Sequence, residues 1–197
     1  MSNENFEAAY QYVAGRLTTE LAPDLYYHGP HHTLRDVLPA AERLAALAQL
    51  PAEEVLLLRT AALYHDMGFI ESYQNNEPIA ARIAGETLPA FGYSEEQIAV
   101  IQALIQVTAL PQQPTTLLEQ LMCDADLDSL GRDDFNQTSM NLHRELAARG
   151  TNIPLTDWWH RQIGFLRDHH YFSDAAKSLR DSRKAENLRI LESKSEA

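Results

Sequence analysis

Leu58-Arg59-Thr60-Ala61-Ala62-Leu63-Tyr64-His65-Asp66-Met67-Gly68-Phe69 reads as an apolar helix that ends by presenting a histidine and an aspartate side by side. Leu58, Ala62 and His65 fall at i, i+4 and i+7, so His65 lies on the face the helix buries. Asp66 is about 100° further around, and Gly68 then offers a stop. A carboxylate carried into the interior is costly unless something positive compensates it. A divalent cation shared by imidazole and carboxylate removes that cost, and both side chains are ordinary metal ligands. Adjacent His-Asp pairs are also common by chance, so the flanking sequence has to decide.

Outward from this stretch the chain is a string of helices. Upstream, Phe6, Tyr10, Val13 and Leu17 are helically spaced within residues 4–20. The polar turn Tyr27-His28-Gly29-Pro30-His31-His32 follows. Thr33 opens a segment with Leu34, Val37, Ala41, Leu44 and Ala48 on one face, where the early Pro39 predicts an irregular first turn or a later start. Pro51 launches the helix expected over 52–67, with Glu53 and Glu54 where the helix dipole favours them. Downstream, Pro78 is placed to begin a helix running to Pro89, and Ser94-Glu-Glu-Gln97 has the form of a capping box. Leu117, Leu118, Leu121 and Met122 lead into Cys123-Asp124-Ala125-Asp126-Leu127-Asp128. Further helices are expected over 132–148, from Thr156 through Leu166, and from a cap at Ser173 or Asp174. With no strand-like alternation and no hairpin dipeptide between strands, the fold class is all-α, one compact multi-helix bundle over residues 1–197.

Composition bounds the function classes. The 197 residues suit one domain, and 45% hydrophobic with 22% charged residues is globular composition. No run is long enough to cross a bilayer, and Met1–Phe6 lacks the basic-then-apolar order of a signal peptide, so the expectation is cytoplasmic. The single Cys123 excludes an intrachain disulfide and makes a cysteine-based zinc site implausible. A net charge of −12 argues against nucleic acid or anionic membrane as partner, although a bound cation can still attract a small anionic substrate. A homodimer is compatible with this composition.

The residues that suit a hard or borderline cation are His28, His31, His32, His65, Asp66, Asp124, Asp126 and Asp128, all at or beside expected helix ends. Singly, each reads more simply as a solvated turn residue. Together they form a three-histidine turn, an apolar helix ending in His-Asp, and an apolar helix entering Asp-Ala-Asp.

In that order, these residues resemble the HD-domain superfamily of metal-dependent phosphohydrolases. Tyr27-His28-Gly29-Pro30-His31-His32-Thr33-Leu34-Arg35-Asp36-Val37 is similar to the family's Tyr-His-Asn-x-x-His-Thr-x-x-x-Val. His65-Asp66 matches its doublet, and Asp124-Ala125-Asp126-Leu127-Asp128-Ser129-Leu130-Gly131 looks like its Asp-Ala-Asp-Arg-Leu-Asp-Ala-Leu-Gly, one residue shorter. The resemblance spans residues 27–131, with 132–197 a helical C-terminal extension. It implies His32, His65, Asp66 and Asp126 as ligands of one divalent ion, with Asp124 the alternative to Asp126. Two histidines and two carboxylates suit manganese, iron, magnesium, nickel or cobalt.

This chain has no histidine between His65 and His143, and it carries Asn76-Glu77 and Thr108 where related two-metal enzymes use histidines. One ion is therefore expected, and the family's di-iron oxygenase chemistry is not. The implied reaction is hydrolysis of a phosphate ester of a nucleotide or other small phosphorylated metabolite. Asp66 holds the ion, Glu71 or Glu77 accepts the water's proton, and His28, Arg35, Arg180 and Lys184 are candidates for binding the substrate's charge. Two other readings remain: a cyclic nucleotide or dinucleotide phosphodiesterase, and a metal-bound sensor or scaffold without turnover. Trp158, Trp159, Phe165, Tyr171 and Phe172 are candidates for a base-binding wall, with core packing as their ordinary role.

Overall fold

The structure, a computed structural model, describes residues 6–195, the side chain of residue 195 excepted. Residues 4 and 5 of the first expected helix lie outside it. The long helices in chain order are α1 (Phe6–Glu20), α2 (Leu38–Leu47), α3 (Ala52–Tyr64), α4 (Asn76–Thr87), α5 (Glu95–Gln106), α6 (Leu117–Asp126), α7 (Phe135–Ala148), α8 (Leu155–Asp168) and α9 (Asp174–Ser195). Short 3-10 turns at Met67–Ile70, Leu88–Phe91 and Asp128–Gly131 and a π-helical turn at His32–Val37 complete the order. Among the described residues there is no strand, so the fold is all-α. No helix of the described residues is long and apolar enough to cross a membrane.

α3 is the centre of the bundle, packed on by α1, α2, α5 and α6. Its last turn, Ala61–Tyr64, is apolar all round, as a helix enclosed by others must be. Leu58, Ala61, Ala62, Leu63 and Tyr64 are all fully buried. Each buried leucine contributes about 1.5–3 kcal/mol by leaving water. α4 pairs with α5, and α9 packs against α8 and the Asp128–Gly131 turn.

Helix starts follow local chemistry. Ser94 Oγ accepts the Gln97 N–H while the Gln97 side chain accepts the Ser94 N–H, the expected capping box of α5. Thr116 and Glu119 cap α6 in the same way. Ser173 Oγ accepts the Ala176 N–H at 3.2 Å and caps α9.

Two expectations change in detail. The helix expected over 52–67 ends at Tyr64, because Asp66 (φ −100°, ψ 7°) leaves helical geometry and a 3-10 turn begins at Met67. Gly68 is needed for a close approach rather than a stop: a Cβ there would lie 2.0 Å from the Asn76 carbonyl oxygen. The irregularity expected at Pro39 appears as the π turn, closed by the Leu38 N–H donating five residues back to Thr33 O. Pro39 follows at once, with no N–H of its own to place.

Candidate metal centre and cavity

Four side chains from three segments converge where helices end. His32 comes from the π turn, His65 and Asp66 from the C-terminus of α3, and Asp126 from the last residue of α6. The ligand atoms of His32, His65 and Asp66 all lie within 4.8 Å of one another. Asp126 Oδ1 is 3.4 Å from the Nε2 of both His32 and His65. Asp66 Oδ2 is 3.2 Å from His65 Nε2 and 3.7 Å from His32 Nε2. Donors about 2.1 Å from a shared ion stand roughly 3.0–3.4 Å apart, so these spacings fit a common cation.

The hydrogen bonding points the same way. His65 Nδ1 meets the Ala62 carbonyl at 2.8 Å, which fixes the ring and turns Nε2 toward the cluster. His65 Nε2 and Asp66 Oδ2 are nevertheless buried without a hydrogen-bond partner, two orphaned atoms facing each other. A cation between them satisfies both. Burial pushes the His65 pKa down, but Asp66 and Asp126 outweigh it and hold it well above the usual histidine value. Burial raises the Asp66 carboxyl, and His65 reverses that to a net lowering. Asp126 is lowered as well, burial being outweighed by His32 and His65. Without an ion, the repulsion between the Asp66 and Asp126 carboxylates is therefore offset by the imidazoles between them.

The cluster opens onto a cavity of about 580 Å³, a volume typical of small-molecule sites. His65, Asp66 and Asp126 lie on its wall with Tyr27, His28, Asn76, Glu77 and Thr108. The rest of the wall comes from the Leu127–Leu130 region, α7 and α8.

No family model, curated protein or solved structure matches the chain. The reading of the site rests on its own residues.

Asp124 and Asp126 point to different tasks. Asp124 accepts the N–H groups of Phe172 and Ser173, each at 2.8 Å, and the Ser173 hydroxyl at 2.6 Å. It ties α6 to the start of α9 and has no part in the histidine cluster. Asp126 instead faces the imidazoles, and its other oxygen lies 3.4 Å from Gln112 Nε2.

The expected substrate and proton-transfer groups separate in space. His28 and Glu77 line the cavity. Glu71 does not: it is exposed and paired with Arg82 at 2.5 Å. Arg180 is committed to Asp128, with Nε 2.7 Å from Oδ1 and Nη2 2.9 Å from Oδ2, and Arg43 adds a third bond to the same carboxylate. Lys184 donates to the His169 carbonyl just after α8 and lies off the cavity wall. Arg35 is exposed on the π turn and lies off the cavity wall. Of the aromatic candidates, Trp158 and Phe165 line the cavity, whereas Trp159, Tyr171 and Phe172 do not.

Sequence reasoning missed Glu145. Fully buried on α7, it accepts the backbone N–H groups of Tyr27 (2.8 Å) and His28 (3.0 Å), pairs with His28 Nδ1 at 2.6 Å and accepts the Tyr73 hydroxyl at 3.0 Å. Burial pulls the His28 pKa down, but Glu145, Asp66 and Asp126 bring it above the usual histidine value. His28, stacked on Phe69 at 4.4 Å, thus faces the cavity braced by Glu145. A glutamate 117 residues from its partner leaves no local signal.

Proposed function

We propose that the chain is a metal-dependent phosphohydrolase that cleaves a phosphate ester of a nucleotide or other small phosphorylated metabolite. The observation that carries this reading is the two-histidine, two-carboxylate cluster, with orphaned ligand atoms, opening onto a cavity. The order of the motifs, similar to that of the HD-domain superfamily, supports it.

His32, His65, Asp66 and Asp126 would hold one divalent ion. Such an ion supplies a water of lowered pKa and polarises a phosphoryl oxygen. His28, whose Nδ1 is held by Glu145, lines the same cavity and can hydrogen-bond the substrate's phosphoryl oxygens. Glu77, at the N-terminal turn of α4, is the one expected base on the cavity wall and accepts a proton from the attacking water. Of the four cation candidates, only His28 is positioned for substrate; Arg180 and Lys184 hold α9 in place and Arg35 faces solvent.

The test is elemental analysis of protein purified without chelators, then a phosphate-release screen over nucleotides, cyclic nucleotides and sugar phosphates. The expected result is one tightly held divalent ion per chain, and turnover that a chelator stops and Mn²⁺ restores. Equal metal content in wild type, His65→Ala and Asp66→Ala overturns the centre. One bound ion without turnover on any class shifts the reading to a metal-bound sensor.

A further inference from the structure

The phosphoryl end of an ester accounts for little of the cavity. Its 580 Å³ equals the space of about twenty waters at ~30 Å³ each, so the occupant has a substantial body. α7 and α8 decide what that body is. Phe135, Leu142, Leu146, Trp158 and Phe165 present hydrocarbon to it, joined by Leu127 and Leu130. Two of the polar groups within this wall already have partners, and Gln162, beside Arg161, is the amide left over among the described residues. The Trp158 indole N–H donates to Ser139 Oγ at 3.1 Å, and the Thr138 hydroxyl donates to the Phe135 carbonyl at 2.9 Å. The hydroxyls of a ribose laid against Phe135, Leu142 and Leu146 would exchange water for hydrocarbon, which is unfavourable.

One charge interrupts this wall. Arg161, exposed on α8, is the only lysine or arginine among the described residues that lines the cavity. Arg82, Arg132, Arg149, Arg167, Arg180 and Arg183 are each paired with a carboxylate. Arg161 has no ion pair or hydrogen bond among the described residues, in a chain with 28 acidic and 16 basic residues. A guanidinium presents a planar fork that suits a carboxylate in bidentate contact.

We propose that the substrate is an amphipathic ester: a phosphoryl group at the His–Asp cluster, an apolar body against α7 and α8, and a terminal carboxylate held by Arg161. This rests on reading the cluster as a phosphoryl site.

Calorimetric titration of metal-loaded protein with methyl-, butyl- and octylphosphonate, 8-phosphono-octanoate and AMP tests it, beside octanoate titrated into protein stripped of metal. Affinity should rise about fourfold per methylene from butyl to octyl while the chain lies on the apolar wall. The terminal carboxylate should add about tenfold, which Arg161→Gln removes while leaving octylphosphonate binding as it was. Octanoate should bind the stripped protein and lose that binding in Arg161→Gln. If octanoate behaves this way but no phosphonate gains affinity from metal, the apolar-acid site stands and the phosphohydrolase reading falls. If AMP binds metal-dependently and more tightly than octylphosphonate, the amphipathic substrate is overturned and the phosphohydrolase reading stands. The amphipathic substrate is overturned too if Arg161→Gln weakens every phosphonate equally or none. Absence of binding by all probes overturns both.

Discussion

Asp124 and Asp126 differ by two positions and have the same side chain, so replacing each by asparagine separates a structural carboxylate from a proposed metal ligand. Asp124 accepts three hydrogen bonds, two from backbone N–H groups and one from the Ser173 hydroxyl. An amide keeps one acceptor oxygen and turns the other into an NH₂ group. If the oxygen stays on Phe172 N–H, the new donor meets the Ser173 N–H, leaving a buried backbone donor unpaired. A charge-assisted bond contributes about 1.5–3 kcal/mol and an orphaned donor costs about 1–3 kcal/mol. Asp124→Asn should therefore destabilise the protein by about 3 kcal/mol, and at this size the thermal midpoint should fall by roughly 6–12 °C. Its metal content should be unchanged. Asp126→Asn should lower metal affinity about tenfold or more, with a smaller effect on the midpoint of chelated protein. Scanning calorimetry after chelation and a metal titration before it supply the two readings. Loss of metal in Asp124→Asn with the midpoint preserved, and the converse in Asp126→Asn, would refute the division of roles.

Glu145→Gln removes a fully buried carboxylate that braces the Tyr27–His28 turn; it should cost about 3 kcal/mol in urea unfolding. Because the Glu145 pKa is lowered and that of His28 raised, the difference from wild type should shrink both as pH falls through the first and as it rises through the second. Glu77→Gln should reduce turnover by about 10²–10⁴-fold at unchanged metal content, while Glu71→Gln, remote from the cavity, should leave turnover alone; equal losses would remove Glu77 as base. His169 has both ring nitrogens buried without partners, and burial, with Lys184 and His170 nearby, depresses its pKa to about 3. Above pH 6.5 it is neutral in folded and unfolded chains alike. Below that, the unfolded chain takes up a proton that the folded one refuses, so stability is lost as pH falls from about 6.5 toward 3. His169→Gln should recover about 1 kcal/mol at pH 5 and nothing at pH 7.5, allowing for partial solvent access; parallel stability curves would show that His169 is not the source.

The helices were readable because their signals are local. Ser94 and Gln97 lie one turn apart, and α3 shows its buried character as two apolar runs, Val55–Leu58 and Ala61–Tyr64, broken only by Arg59 and Thr60. The segments that bring His32, His65, Asp66 and Asp126 together were readable for the same reason, each being a short motif in a turn or at a helix end. The features that stayed hidden depend on distant parts of the chain. Glu145 looks like any helical glutamate until Tyr27 and His28 are folded onto it. Arg180 and Lys184 sit one turn apart on α9 and read as an anion clamp, but Asp128 and the His169 carbonyl occupy them. Arg161 had no distinguishing neighbour in sequence, and only the cavity singles it out.

The π turn has a consequence for counting along the chain. Widening one helical turn absorbs a residue without rotating the helix beyond it. Its buried positions accordingly step by five, from His32 to Val37 and from Thr33 to Leu38, before α2 resumes the ordinary spacing at Ala41 and Ala45. A 3.6-residue ruler laid from the imidazole would point the α2 core stripe the wrong way. The segment holds one residue in reserve. Removing the exposed Arg35 would relax the wide turn to an ordinary one and leave His32 and the stripe on their present bearings. Adding a residue has no such slack to use, and would swing His32 about 100° off its bearing. Along the stretch that carries His32, shortening is the tolerated change and lengthening the damaging one.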